Sequence, residues 1–289
     1  MPTPTLIISF HGSSSGKHNK LKTFPALGNI LTEPPELQEP RGFLLGPGSD
    51  SNHLYVVNAY KNASLIYRYT SGASGTYTDG EVFASDDLSH PFDAAFGPDG
   101  HLYVSNQDSN KITYYEGPTD KHPGKLKGTF GTTSQPEFST LRGIAWVGSA
   151  LYAADEDAGV LGFNSDGSSN SVTIPVKNPV HLFYDGSRYL YIGSGSGNSV
   201  WVWDTSKQIK TNPAEIVGSK QTPAIDATAG IALPGDGNLY VASRKANVLI
   251  QYPIDVTQNP PAVSNGQVLS PGLKDNPEFV GSLSMGVYG

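Results

Sequence analysis

The sequence of 289 residues contains no cysteine, which excludes a disulfide scaffold and any metal site built from thiolates. It is also poor in charge, because only 16% of its residues are Asp, Glu, Lys or Arg, against roughly 25% in an average globular domain. Acidic residues outnumber basic ones by 26 to 19, whereas proteins that contact nucleic-acid phosphates have a basic surplus. We therefore expect no nucleic-acid partner.

Other absences bear on location and secondary structure. No apolar stretch approaches the ~20 residues of a membrane-spanning helix, so we expect no membrane partner. The first apolar run, residues 6–10, follows no basic segment and does not resemble a signal peptide, which leaves a secreted or a cytoplasmic protein open. The scarcity of Met and Glu argues against a helical bundle. Nothing indicates an oligomer, so a monomer is the default expectation.

The residues that are abundant favour β-structure with many turns. The chain has 33 Gly and 22 Pro, and its 15 Tyr, 11 Phe and 3 Trp are sufficient to build an ordered core. This composition predicts an all-β protein.

A repeat recurs along the chain and fixes its architecture. Each copy has an apolar strand, a turn rich in Gly and Asp, and a Leu-Tyr pair that begins a second strand. The copies are PRGFLLGPGSDSNHLYVVN (40–58), PFDAAFGPDGHLYVSN (91–106), LRGIAWVGSALYAAD (141–155), PVHLFYDGSRYLYIGS (179–194) and TAGIALPGDGNLYVAS (228–243). A third apolar strand follows each copy, at 64–69, 111–115, 159–163, 199–203 and 247–252.

Several short antiparallel strands in each unit of about 48 residues are typical of a propeller blade. The segment NPEFVGSLSM (276–285) provides the first strand of a sixth unit, and TLIISFHG (5–12) and NKLKTF (19–24) provide its second and third. We therefore predict one domain, residues 1–289, that folds as a six-bladed β-propeller. Its last blade would combine about 263–289 with 1–33, so that N- and C-terminal strands close the ring.

The stretches FGPDGHLYVSN (96–106) and LPGDGNLYVAS (233–243) resemble NHL repeats. They are also similar to the repeats of gluconolactonase (regucalcin)-like and virginiamycin-lyase-like six-bladed propellers. The resemblance covers nearly the whole chain and implies the architecture. It does not fix the function, because lactonases, lyases and non-catalytic binding propellers share this fold.

The usual ligand site of a propeller is the mouth of its central channel, where inner strands begin and second strands end. The predicted inner-strand positions are Gly42, Asp93, Gly143, His181, Gly230 and Gly281, where glycine keeps space for a ligand. The second strands end at Asn58, Asn106, Asp155, Ser194, Ser243 and Phe10, the last followed by His11. We expect ligand-binding side chains at Arg41, Asn58, Asp93, Asn106, Arg142 and His11.

Two chemistries are open for this predicted pocket. Asp93, Asn106 and Asp155, with His181 beside them, could hold a divalent cation, Ca²⁺ or Mg²⁺ with oxygen ligands alone and Zn²⁺ or Mn²⁺ with the histidine. Without a metal, His181 could be a general base oriented by a carboxylate, and His181 and Asp155 are the predicted catalytic pair. The structural alternative is that Asp and Asn bind backbone amides at the strand ends.

The resemblance adds residues to both chemistries. The gluconolactonase-like group holds its metal with a Glu from an inner strand and with Asn and Asp from others, which implies Glu278, Asn106 and Asp155. The virginiamycin-lyase-like group implies a catalytic histidine at His181 or His11.

The sequence thus favours an enzyme that acts on a small molecule at the channel mouth, a metal-assisted hydrolase of lactonase type or a lyase. The alternative is a non-catalytic propeller that binds a ligand or a glycan, for which Trp201 or Trp203 would be a stacking platform.

Overall fold

The computed structural model describes residues 5–11, 20–25, 28, 30–31, 37–60, 63–72, 75–131, 138–207, 212–269 and 276–282. These residues form antiparallel β-sheets, with one turn of 3-10 helix at Gly48–Asp50. The prediction of an all-β fold is confirmed. Within the described ranges there is no helix long and apolar enough to cross a membrane.

The strands are grouped in six sheets, which are the six predicted blades. The chain begins with β1 (Leu6–His11) and β2 (Lys20–Phe24). Blade 1 contains β3 (Pro40–Leu45), β4 (His53–Tyr60), β5 (Ala63–Ser71) and β6 (Tyr77–Ala84). Blade 2 contains β7 (Pro91–Phe96), β8 (Leu102–Asn106), β9 (Lys111–Tyr115) and β10 (Leu126–Phe130). Blade 3 contains β11 (Leu141–Val147), β12 (Ala150–Asp155), β13 (Gly159–Phe163) and β14 (Ser169–Ile174).

The second half of the ring continues in the same order. Blade 4 contains β15 (Pro179–Tyr184), β16 (Tyr189–Ser194), β17 (Ser199–Asp204) and β18 (Ala214–Val217). Blade 5 contains β19 (Thr228–Ala232), β20 (Asn238–Ser243), β21 (Val248–Asp255), β22 (Ala262–Val263) and β23 (Gln267–Val268). Blade 6 combines β24 (Asn276–Ser282) with β1 and β2.

The inner strands β3, β7, β11, β15, β19 and β24 contact one another in succession, and β24 returns to β3. The ring is closed by antiparallel pairing of β24 with β1, as predicted. The boundary of the last blade differs from the prediction of about 263. Because β22 and β23 pair with β21, residues 262–268 belong to blade 5 and the described part of β24 begins at 276.

Alternation along the strands buries side chains on both faces of each blade, and the result is one apolar cluster between each pair of neighbouring blades. The tyrosines of the Leu-Tyr pairs are all buried in these clusters. Three of them also donate a hydrogen bond to the Asp of the preceding turn, at 2.6 Å for Tyr55, 2.9 Å for Tyr103 and 2.7 Å for Tyr240. This contact ties the turn of the repeat to its second strand.

Candidate functional site

The register of each inner strand defines two rings of equivalent residues around the channel. In each inner strand a register shift follows a pair near the end of the second strand, as in Pro40 with Asn58 and Pro277 with Phe10. The next residues form what we call the mouth ring: Arg41, Phe92, Arg142, Val180, Ala229 and Glu278. The residues after those form the channel ring: Gly42, Asp93, Gly143, His181, Gly230 and Phe279.

One sequence-based expectation about blade 6 is thereby corrected. Phe279, not Gly281, occupies the channel ring, because β24 pairs with β1 at Pro277 with Phe10 and the register then shifts, so that Val280 pairs with Ile8. Glu278 lies within β24 at the mouth ring, in the position that Arg41 has in blade 1.

The channel-ring glycines have a structural reason that differs from the predicted one. A Cβ at Gly42 would lie 2.5 Å from Oδ1 of Asp93, and a Cβ at Gly230 would lie 2.7 Å from Cα of Phe279. Contacts this short are not tolerated, so the next inner strand, not a ligand, fills the space beside these glycines.

The polar side chains at the ends of the second strands bind the loops that enter the inner strands. Oδ1 of Asn58 accepts a hydrogen bond from the amide of Gln38 at 2.7 Å, and Oδ1 of Asn106 accepts one from the amide of Ser89 at 2.9 Å. The amide group of Asn106 also donates to Oγ1 of Thr113 at 2.9 Å. These contacts match the structural alternative for the strand-end residues.

Asp155 makes the most extensive set of such contacts. Its carboxylate accepts hydrogen bonds from the hydroxyl of Ser139 and from the backbone amides of Ser139, Thr140, Asp157 and Ala158, at 2.7 to 3.1 Å. Burial alone raises the pKa of Asp155, but these hydrogen bonds outweigh it and hold the pKa below the ordinary value of 3.8. The carboxylate is therefore charged at neutral pH and occupied by the loop.

An ion pair occupies one side of the mouth ring. Nη1 of Arg41 lies 3.1 Å from Oε1 of Glu278, and Nη1 of Arg244 lies 3.3 Å from the same oxygen. Arg41 and Glu278 are only 7% and 2% exposed, so this pair is buried between the first and last blades. The sequence predicted Arg41 as a ligand-binding residue and implied Glu278 as a metal ligand. In the structure the two side chains contact each other.

Phe92 fills the other side of the mouth ring. The guanidinium carbons of Arg41 and Arg142 lie 5.5 and 5.4 Å from the centroid of its ring, within the range of cation–π contact. Nε of Arg142 also donates to Glu156 at 2.6 Å. The ring of Phe92 contacts that of Phe279 with centroids 5.4 Å apart. Together these contacts fill part of the predicted mouth.

A cavity of about 110 Å³ lies in the channel beyond the mouth ring. Its walls come from the second halves of the inner strands and are largely aliphatic and aromatic. Leu45, Phe183 and Tyr184 in the lining are half-buried and lie at the far ends of their strands, so the cavity faces the end with the first hairpins. Asp93, His181 and Phe279 form the end nearer the mouth.

The carboxyl group of Asp93 is held at the inner end of this cavity by backbone amides. Its Oδ1 accepts a hydrogen bond from Ala94 at 2.9 Å, and its Oδ2 accepts one from Ile144 of blade 3 at 3.2 Å. Burial raises the pKa of Asp93 to about 7, although these two hydrogen bonds act in the opposite direction. Asp93 therefore exchanges a proton near neutral pH.

His181 faces the same cavity from blade 4. Its Nδ1 accepts a hydrogen bond from the amide of Ile231 at 3.3 Å, so in the neutral ring the proton is on Nε2. Within the described part of the chain Nε2 has no protein partner, and the residue lines the cavity. Burial lowers the pKa of His181 to about 4. At neutral pH the ring therefore offers an N–H donor to the cavity.

The predicted metal ligands do not converge. Asn106 and Asp155 bind loop amides, Glu278 pairs with arginines, and Asp93 lies in the channel ring. Among the described residues no group of three or more His, Asp or Glu side chains could hold a metal ion. The donor set that the sequence suggested therefore does not fit a divalent cation.

The remaining predicted residues are His11 and the two tryptophans, and neither tryptophan is among the described residues that line the cavity. His11 ends β1 opposite Asn276, and its side chain lies outside the described part of the structure. Trp203 is buried and packs against Tyr152, and Trp201 is half-buried with its Nε1 bonded to Ser199 at 2.8 Å. The tryptophans are not exposed stacking platforms.

Phe92 and Phe279 are the site residues that the sequence-based reasoning missed. The signal for them was a proline at or near the start of several inner strands, since Pro40, Pro91 and Pro277 precede the mouth ring by one residue. Counting from Pro277 gives Glu278 and Phe279.

The structure can be compared with solved structures. A chain of the nidogen/laminin complex has a TM-score of 0.66 and 13% identity over 98% of this chain and 100% of that one. The periplasmic gluconolactonase of Pseudomonas aeruginosa has a TM-score of 0.66 and 14% identity over 91% and 82%. Virginiamycin B lyase of Staphylococcus aureus has a TM-score of 0.52 and 18% identity over 73% and 66%.

At these identities the likeness establishes the fold, and the expected resemblance to gluconolactonase-like and virginiamycin-lyase-like propellers is confirmed at that level. No protein-family model matches the sequence, and no curated protein sequence matches it.

Proposed function

We propose that the protein is an enzyme that acts on a small, uncharged carbonyl compound in the channel cavity, by lactone hydrolysis or by elimination. The observation that carries the proposal is the pair of ionisable groups in an apolar cavity, Asp93 with a pKa of about 7 and His181 with a pKa of about 4. Strongly shifted pKa values of buried groups in a cavity are typical of functional sites.

The size and the walls of the cavity support a small substrate. Its volume of about 110 Å³ is of the same order as the ~150 Å³ of an aliphatic cavity that binds benzene. A single ring or a short acyl group fits such a space, with any remainder of the molecule extending past Tyr184. Apolar walls disfavour a charged group, because nothing there replaces its hydration.

The two polar groups would divide the work of lactone opening. The Nε2–H of His181 would donate to the carbonyl oxygen and stabilise the negative charge that develops there. The carboxylate of Asp93 would take a proton from the attacking water as its oxygen bonds to the acyl carbon. When the acyl–oxygen bond breaks, Asp93 would return the proton to the ring oxygen.

An elimination would use the same groups in the same roles. Asp93 would remove the proton next to the carbonyl, His181 would stabilise the enolate, and Asp93 would then protonate the departing oxygen. Neither route uses Asp155, whose oxygens bind the entering loop, or a divalent cation.

The test is turnover of a panel of γ- and δ-lactones, and of esters with a leaving group β to the carbonyl. Asp93→Asn should lower kcat by about 100-fold or more, because proton transfer by a positioned group typically contributes that much. The wild-type rate should rise with pH through about 7, as Asp93 becomes a carboxylate. His181→Gln should lower kcat without abolishing this rise.

Asp204→Asn is the matched control, since Asp204 is a buried carboxylate that pairs with Arg188 and does not line the cavity. Chelation with EDTA should leave the rate unchanged. Turnover that persists in Asp93→Asn would contradict the proposed chemistry. Ligand binding without turnover would favour the non-catalytic propeller.

A further inference from the structure

The channel ring contains one large apolar side chain. Three of its six positions are glycine, two are Asp93 and His181, and the sixth is Phe279. The ring of Phe279 is 4% exposed and lines the cavity at its inner end. It packs edge-on against the imidazole of His181 with the centroids 5.0 Å apart.

Residues of the mouth ring lie on the other side of Phe279. Phe92 contacts it there, and Arg41 and Glu278 are buried beside Phe92. None of these three residues lines the cavity, so the cavity ends at Phe279. Removing the ring of Phe279 would lengthen the cavity toward Phe92.

We propose that Phe279 is a specificity-determining residue that limits the ligand to a single ring or an acyl group of similar length. The inference rests on the proposed function in one respect, that the cavity is the ligand site. The side chain limits the depth of the cavity at the inner end, where it lies beside His181 and in the same ring as Asp93. A longer molecule would displace its own reacting group from His181 and Asp93.

The test measures binding of benzene and naphthalene by ligand-observed NMR, because these probes report length without requiring chemistry. Wild-type protein should bind benzene and discriminate against naphthalene. Phe279→Ala should improve naphthalene binding relative to benzene by at least tenfold. Phe279→Leu, a milder truncation that keeps an apolar side chain in the cluster, should shift the preference in the same direction by a smaller factor.

Phe96→Ala is the matched control, since Phe96 is a buried phenylalanine of β7 that packs between blades and does not line the cavity. Its preference should equal that of the wild type. The same preference in wild-type and both Phe279 variants, or binding of neither probe by any of them, would overturn the inference. Turnover plays no part in this measurement, so a failure of the proposed chemistry would leave its result unaffected.

Discussion

At the scale of single residues, Asp93 links the cavity to the stability of the protein. Its pKa is about 7 in the folded protein against an ordinary value of 3.8, because burial disfavours the carboxylate. The folded protein therefore holds a proton that the unfolded chain releases, and stability falls as pH rises from 3.8 until it passes about 7. The difference between the two pKa values lowers the free energy of unfolding by about 4 kcal/mol at a pH where Asp93 is fully charged.

Asp93→Asn should remove this pH dependence because the amide stays neutral. The unfolding free energy of the variant relative to wild type should increase by about 2–3 kcal/mol between pH 5 and pH 8. Urea unfolding at the two pH values measures it. For Asp204→Asn the difference should be constant over the same range, since hydrogen bonds from Arg188 hold the pKa of Asp204 below its ordinary value. A constant difference for Asp93→Asn would show that its carboxyl is not desolvated.

The sequence predicted Asp93 and His181 as candidate site residues, because the positions predicted to be equivalent in the other repeats are glycine. It could not predict their pKa values, which depend on burial by blades distant in sequence. The tautomer of His181 is another such property, since it follows from the amide of Ile231, 50 residues away.

At the scale of strands and loops, the ends of the second strands hold the entering loops. Asp155 is the clearest case, because its carboxylate joins the start of β11 to the turn after β12. Hydrogen bonds lower its pKa, so its contribution is present above 3.8 and is lost as pH falls below that value.

Asp155→Ala should therefore destabilise the protein by about 2–4 kcal/mol, because buried amides of the loop lose their acceptor. Thermal and urea unfolding at pH 7 measure the loss. Asp157→Ala is the control, since Asp157 is exposed and its carboxylate accepts a hydrogen bond from the hydroxyl of Ser139 but from none of the loop amides that Asp155 binds. The loss of unfolding free energy in this variant should stay below about 0.5 kcal/mol. A loss for Asp155→Ala as small as that of the control would contradict this role.

The strands themselves could be predicted closely, because alternation and turn chemistry are local. Gly100, Gly186 and Gly237 have positive φ values of 75 to 83°, as expected for the Asp-Gly turns. The wrong channel-ring position in blade 6, Gly281 instead of Phe279, arose because the sequence of this strand matches the repeat least well. The Val-Gly pair at 280–281 matches other strand starts, but pairing with β1 sets the register from Pro277.

At the scale of the whole molecule, the ring closes in two ways. Backbone pairing joins β24 to β1, and the buried pair of Arg41 and Glu278 joins blade 6 to blade 1 at the mouth. Buried ion pairs gain little over apolar residues of similar size, but removal of one partner leaves an uncompensated charge. The effects of substituting Arg41 and Glu278 on the free energy of unfolding should therefore be strongly non-additive.

Arg41→Met alone should destabilise the protein by about 3–5 kcal/mol, because Glu278 would keep only Arg244, which is half-exposed. The double variant Arg41→Met, Glu278→Leu should recover most of this loss, since neither charge remains buried. Arg244→Ala should cost less than Arg41→Met, because the Arg244 side chain is half-exposed and Glu278 keeps its buried partner Arg41. Urea unfolding of the wild type, of the single variants Arg41→Met and Glu278→Leu, and of the double variant completes the cycle. Additive effects of the two substitutions would show that the closure does not depend on this pair.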